Sequence, residues 1–257
     1  LVPSLTVLYV HMRNGRGSER LLLAALVMTA ISLLIPILCV SRFQLVFAVL
    51  LAAFTYISLQ KLFHPGWLFG LFVVMIPFYL ILTVARSHNI EYLNGIFEMK
   101  NASMPIFVSQ PYIYIANNYD NFNFLVGALP GHSFGLKGLF PLWALSGLKF
   151  FFPQLINFPI YVDKTELTTL TLFYDSYYDF GWIGVLLFSC ILGAIAYILV
   201  VKLREMRNPL GYLLYAQFAA YLMLSFFTTW FSNTTTWFYL ILTGIMALFY
   251  HLRASRW

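Results

Sequence analysis

The chain has 257 residues, of which 61% are hydrophobic and only 9% charged, with a formal net charge of +6. So little charge excludes a soluble globular domain, whose surface needs far more of it. The basic excess sits at the ends of apolar runs rather than in one patch, which marks membrane topology and not a nucleic-acid partner. Cys39 and Cys190 both fall inside apolar runs and offer neither a disulfide framework nor a metal cluster. No phosphate-binding loop, dinucleotide fingerprint, nucleophile elbow or zinc spacing is present, so no metal and no cofactor is expected. The composition predicts an all-α polytopic membrane protein. About six to seven transmembrane helices are expected, with one large extracytoplasmic loop containing short interfacial or re-entrant helices.

In chain order, Leu1 to Val10 reads as the tail of an interrupted apolar span. The start without Met leads us to expect further helices before it, in an N-terminally truncated chain. Spans follow at about Leu21–Val40, Phe43–Leu59, Gly66–Ala85, Gly181–Val201, Leu210–Phe227 and Trp237–Tyr250, several of them near the length that crosses a bilayer core. Arg13, Arg16, Arg20, Lys61, Lys202, Arg204, Arg207, Arg253 and Arg256 then share one side, against Arg42 in the short loops of the other. The positive-inside rule makes the first side cytoplasmic and puts the long loop outside. Three parts result: N-terminal helices over 1–85, the outer loop over 86–180 and C-terminal helices over 181–257.

Arg42 stands in the two-residue turn Ser41-Arg42, and Arg86 ends its span at the same face. Cations at the translocated edge of a membrane run against the topological trend. Such a pair either clamps a diphosphate, because guanidinium matches phosphate oxygens bidentately, or binds the head groups of ordinary lipids. His88 and His132 are the outer histidines, each either a proton carrier or simply solvated.

Between Arg86 and Gly181 lie eight of the eleven Asn, eight of the seventeen Tyr and seven of the nine acids. The densest patch is Tyr112-Ile113-Tyr114-Ile115-Ala116-Asn117-Asn118-Tyr119-Asp120-Asn121. Amide side chains and aromatic rings suit carbohydrate, whose hydroxyls need paired donors and acceptors and whose C–H faces stack on rings. Tyr114, Asn117, Asn118 and Asp120 are therefore the glycan-holding candidates. The alternative is an aromatic belt at the membrane surface with Asn making turns. Further on, Gly-Leu-Lys-x-x-Phe-Pro occurs twice, at Gly135–Pro141 and Gly147–Pro153, inside the apolar stretch from Gly135 to Ile160. That stretch predicts an interfacial or re-entrant segment with Lys137 and Lys149 reaching toward phosphate head groups, or the lining of a path for a lipid-linked substrate.

Asp175 and Asp179 share a helix face where the span near Gly181 begins. Acids at that position either gain from the helix dipole or serve as a general base at the helix mouth. Asp179 is the first choice for the base, with Asp175 and His132 in reserve.

The run Thr171-Leu172-Phe173-Tyr174-Asp175-Ser176-Tyr177-Tyr178-Asp179-Phe180-Gly181-Trp182-Ile183-Gly184, continuing as apolar helix to Gly193, resembles the bacterial oligosaccharide repeat-unit polymerases of the O-antigen polymerase type. Tyr114 to Asn121 and the Ser41-Arg42 turn add to the likeness, while Arg86 and His132 match the family pattern only loosely. The resemblance implies a lipid-diphosphate-dependent glycosyltransferase in the bacterial cytoplasmic (inner) membrane, with its large loop outside the cytoplasm. Its substrate would be an undecaprenyl-diphosphate-linked oligosaccharide, polymerised into O-antigen, capsule or exopolysaccharide. Membrane lipid, a flippase and a chain-length regulator are the partners it implies. Arg42 and Arg86 would hold the diphosphate and Asp179 would take the acceptor proton. A ligase-type glycan transferase and a lipid-linked oligosaccharide transporter or flippase are the alternatives.

Overall fold

The computed structural model describes residues 1–13, 17–39, 41–60, 89–205, 208–226 and 228–254, together with residues 66, 69, 70, 73, 76, 77, 79–81 and 83. Among the described residues the protein is all-α, without strands. Half of the span expected at Gly66–Ala85 lies outside them, as do Arg86 and His88.

The helices are α1 (Val2–Arg13), α2 (Glu19–Leu38), α3 (Arg42–Gln60), α4 (Ile90–Ile96), α5 (Ile106–Ala128), α6 (Phe140–Leu145), α7 (Tyr174–Glu205), α8 (Pro209–Met223) and α9 (Thr234–Ala254). Short 3₁₀ turns lie at Leu148–Phe150, Pro153–Leu155 and Trp230–Ser232. Among the described residues four stretches are long and apolar enough to cross a membrane: Glu19–Leu38, Phe43–Gln60, Tyr174–Lys202 and Thr234–Arg253. Most side chains of the first, third and fourth face outward, whereas a third of Phe43–Gln60 is buried. On α2 the exposed residues include Leu21, Leu23, Val27, Ile31 and Leu38, and Pro36 alone is buried. Helices apolar all round and uncovered by protein belong in lipid. This is the architecture of a multi-pass membrane protein.

The chain divides into two compact units. The first comprises Leu1–Asn89, Leu199–Ala220 and Leu242–Trp257. In it, α1 packs on α3 and α2, with the Thr6 hydroxyl 2.7 Å from that of Thr29 and donating to the Ala25 carbonyl at 3.2 Å. Leu51 of α3 meets the small residues Ala216 and Ala220 of α8, which let the two helices approach closely. Helix α8 has 15 residues, about 22 Å at 1.5 Å per residue, so by itself it is shorter than the span expected at Leu210–Phe227. Its buried Leu213 and Gln217 show that it serves as a packed interior helix.

The second unit comprises Ile90–Ile198 and Tyr221–Ile241. The region expected to be a loop with short helices contains those, as α4 and α6, but its main element is α5, a helix of 23 residues. The buried positions of α5 include Ile106, Gln110, Ile113, Asn117, Asn121 and Leu125. Their spacing of three or four residues is the period of one helix face. Polar residues occupy half of that stripe, and they work by hydrogen bonding. Asn117 donates to the Leu167 carbonyl at 2.9 Å, and Asn121 to the Leu167 and Thr169 carbonyls at 2.7 and 2.8 Å. The Asn121 side-chain oxygen accepts from the Asp163 N–H at 3.0 Å. The segment 160–171 has no regular structure of its own, so these amides supply partners that a sheet or helix would otherwise give its backbone. Apolar packing completes the unit around Leu125, Tyr174 and Tyr178, and around Phe97, Ile106 and Ile113.

Candidate functional site

Helix α7 is broken near its start. Phe180 (φ −137°, ψ 16°) and Gly181 (φ 62°, ψ −148°) leave helical geometry, dividing a first turn and a half, Tyr174–Asp179, from the long apolar part. The Gly181 conformation is open essentially to glycine alone. A side chain there would also press on the His132 ring, whose Nε2 lies 3.0 Å from where a Cβ would stand. At Gly184 a Cβ would overlap the Ser176 carbonyl oxygen. Both glycines of the Asp-Phe-Gly-x-x-Gly step are thus required by the break itself.

The segment 132–138 wraps over this break. The N–H groups of Ser133 and Phe134 donate to the carbonyls of Tyr178 and Asp179 at 3.2 and 3.0 Å, taking up acceptors that the interrupted helix leaves unused. In return the Asp179 carboxylate, 4% exposed, accepts from the Ser133 hydroxyl, from the Lys137 N–H at 3.2 Å and from the Gly138 N–H at 2.8 Å. Gly138 has to be glycine for the carboxylate to come so close, because a Cβ would stand 2.6 Å from Oδ2. Asp179 is therefore an anchor that ties a turn to the helix mouth.

Asp175, one helical turn earlier, is also buried. Its Oδ1 lies 3.6 Å from Lys137 Nζ and its Oδ2 accepts from the Ser232 hydroxyl. The Lys137 ammonium sits 4.5 Å from the Tyr178 ring centroid and 5.5 Å from that of Tyr174. It is held between a carboxylate and two aromatic faces, which is how a buried cation is compensated. This corrects the expectation that Lys137 reaches for head groups: its side chain is 12% exposed and turned inward. Tyr174 fixes the next layer, donating to the Tyr161 carbonyl at 2.7 Å and accepting from its N–H at 2.8 Å. His132 stands on the exposed rim, with Nδ1 3.3 Å from the Tyr178 carbonyl and its ring edge-on to Tyr177.

A second feature of the same unit is an open groove of about 510 Å³ between α5 and the chain that follows α4. Val108, Tyr112, Ala116 and Asp120 line it at successive turns of one α5 face, and Glu98, Lys100 and Met104 close the other wall. Tyr112, Asp120 and Lys100 are exposed, so ring, carboxylate and ammonium all face a space large enough for sugar units. Glu98 is paired with Lys164 at 2.6 Å, and Lys164 also donates to the Ile96 carbonyl at 3.2 Å, which holds that wall in place.

The expected site residues thus divide. Asp175, Asp179 and His132 come together at the helix mouth. Of the four expected sugar ligands, Asp120 faces the groove, and Tyr114, half-exposed on the same helix, accepts from Gln110 at 3.2 Å. Asn117 and Asn118 point inward, and Asn118 donates to the Phe226 carbonyl at 2.8 Å and to the Tyr114 carbonyl. Arg42 is the first residue of α3, and its side chain lies outside the described residues, as does Arg86. Sequence reasoning missed Ser133, Ser232 and the Glu98–Lys100 wall. The i, i+4, i+8 spacing of Tyr112, Ala116 and Asp120 was the signal that could have found the groove.

Among the described residues no group of three His, Cys, Asp or Glu side chains could hold a metal ion. Comparison with protein-family models, with curated proteins and with solved structures found no match to this chain.

Proposed function

We propose that the protein is a membrane-embedded glycosyltransferase that joins undecaprenyl-diphosphate-linked repeat units outside the cytoplasm. The observation that carries this reading is the groove, which gathers Tyr112, Asp120 and Lys100 on one open surface. The likeness of the Thr171–Gly193 run to repeat-unit polymerases supports it. So does the set of helices able to cross a membrane, which would keep the enzyme beside a lipid-linked substrate.

The chemistry needs three things. A ring must stack on the sugar, a base must take the acceptor hydroxyl proton, and cations must stabilise the departing diphosphate. Tyr112 fits the first role, with Tyr114 beside it. Asp120 fits the second, because its carboxylate is exposed whereas those of Asp179 and Asp175 are already bonded. Lys100 fits the third. In the step, the sugar C1–O bond to the diphosphate breaks and a C1–O bond to the acceptor forms. The acceptor proton passes to Asp120 and lipid diphosphate leaves. Asp179 and Asp175 shape the helix mouth, and His132 on its rim is the reserve proton carrier.

The test is complementation of a strain lacking its repeat-unit polymerase, reading the glycan ladder on a gel. Asp120→Asn and Lys100→Gln should each reduce chains beyond one repeat by about 100-fold, the size of one lost general base or of one lost transition-state cation. Full ladders from both, with the protein present in the membrane, would sink the proposal. Deletion of the gene from its own strain separates the two types: single repeat units accumulate for a polymerase, long unattached chains for a ligase.

A further inference from the structure

The stretch from Gly135 to Ile160 carries only two charges, Lys137 and Lys149. Lys137 is turned inward to Asp175, so Lys149 is the single charge left on the outer side. Around it the structure exposes a continuous apolar surface. Phe150 and Phe151 are each 78% exposed, and Leu142, Leu145 and Phe152 are nearly half exposed. Water would not favour such a surface, and no other described residue of this unit covers it.

The same stretch is bolted to the start of a membrane-crossing helix. Gly138 and Lys137 hold Asp179, the Phe134 N–H holds the Asp179 carbonyl, and Gly135 lies against the Phe180 ring. Two residues later Trp182, 71% exposed, opens the outward apolar face of α7. From Trp182 to Lys202 the helix rises about 30 Å at about 1.5 Å per residue, which matches a hydrocarbon core of about 30 Å. Trp182 therefore marks one boundary of that core, where Trp is favoured. The apolar surface tied to its neighbour is held at the same level.

We propose that α6 and the two 3₁₀ turns after it form a lipid-seated anchor. Phe150, Phe151 and Phe152 enter the acyl boundary of the leaflet at the Trp182 end of α7. The Lys149 ammonium, 5.1 Å from the Phe150 ring centroid, lies at the phosphates of the same lipids. The ligand is the phospholipid interface itself, and the inference holds whether or not the groove handles sugar.

Site-directed spin labelling of the full chain in lipid nanodiscs tests it. Cys39 and Cys190 are both exposed and are first replaced by Ser. A label is then placed at Phe151→Cys, or at Phe150→Cys should the first variant fail to fold, with Leu187→Cys on α7 as the in-membrane reference. Oxygen and a water-soluble nickel chelate report depth. The anchor predicts a label about 5–10 Å below the phosphates, shallower than that at Leu187→Cys. A label open to the nickel chelate would overturn the proposal in favour of an aqueous surface. A label shielded from both probes would overturn it in favour of a protein partner or a second copy.

Discussion

The two copies of Gly-Leu-Lys-x-x-Phe-Pro begin alike and end differently. Gly135 and Gly147 both take left-handed backbone, at φ 93° and 77°, and each copy then turns helically toward its proline. In the first, Lys137 is drawn beneath the Tyr178 ring to Asp175. In the second, Lys149 lies over the exposed Phe150. The motif specifies the local backbone, and the groups facing it decide whether its cation belongs to the interior or the surface. Asp175 and the tyrosines of α7 stand opposite the first copy; among the described residues no acid pairs with Lys149.

Substitutions made in pairs can break or sharpen that contrast, with stability followed as thermal unfolding in detergent micelles. Lys137→Met should show the largest effect, about 3–5 kcal/mol, because it leaves Asp175 buried without its cation. Adding Asp175→Leu to it should recover part of the loss, since the uncompensated charge is then gone. No recovery would mean that Lys137 matters for shape and not for charge. Asp179→Ala comes next at about 3 kcal/mol, because the Ser133, Lys137 and Gly138 donors lose their acceptor together. Gly135→Ala and Gly147→Ala should each cost about 1–2 kcal/mol for the left-handed backbone, Gly135→Ala the more because of the nearby Phe180 ring. Unequal costs in the opposite order would deny the shared backbone logic. Lys149→Met should change stability by less than about 0.5 kcal/mol. A loss as large as that of Lys137→Met would remove the distinction between the copies.

Hydropathy made the spans at Leu21–Val40, Phe43–Leu59, Gly181–Val201 and Trp237–Tyr250 legible, because crossing lipid demands long uncharged helices and little else. Helix α5 was not legible as a helix, because its buried stripe is carried by Asn117 and Asn121, residue types that read as turn or surface. The 3.6 period was present in Ile106, Gln110, Ile113, Asn117, Asn121 and Leu125, but in a polar alphabet. The Asp-Phe-Gly step was visible as a join between polar region and span. What Asp179 does there was not, because its partners Ser133, Lys137 and Gly138 stand more than forty residues away in sequence. The Tyr112–Asn121 patch lies on α5, the helix that lines the groove. The sequence did not separate Asp120, which faces outward, from Asn117 and Asn118, which face inward.

The hydrogen bond from Asn118 to the Phe226 carbonyl closes a separation of 108 residues, and that from Ser232 to Asp175 closes 57. During synthesis these partners do not yet exist when α5 and the first turn of α7 leave the ribosome. Until the chain through Ser232 has been made, the Asn118 amide has the Tyr114 carbonyl and the Asp175 carboxylate has Lys137, each short of its later partner. Contacts of such long range slow assembly, since the intervening chain has to be ordered before they form. Maturation of the second unit is thus timed by insertion of the C-terminal helices. A chain ending before residue 226 would leave the buried Asn118 amide of α5 short of one acceptor.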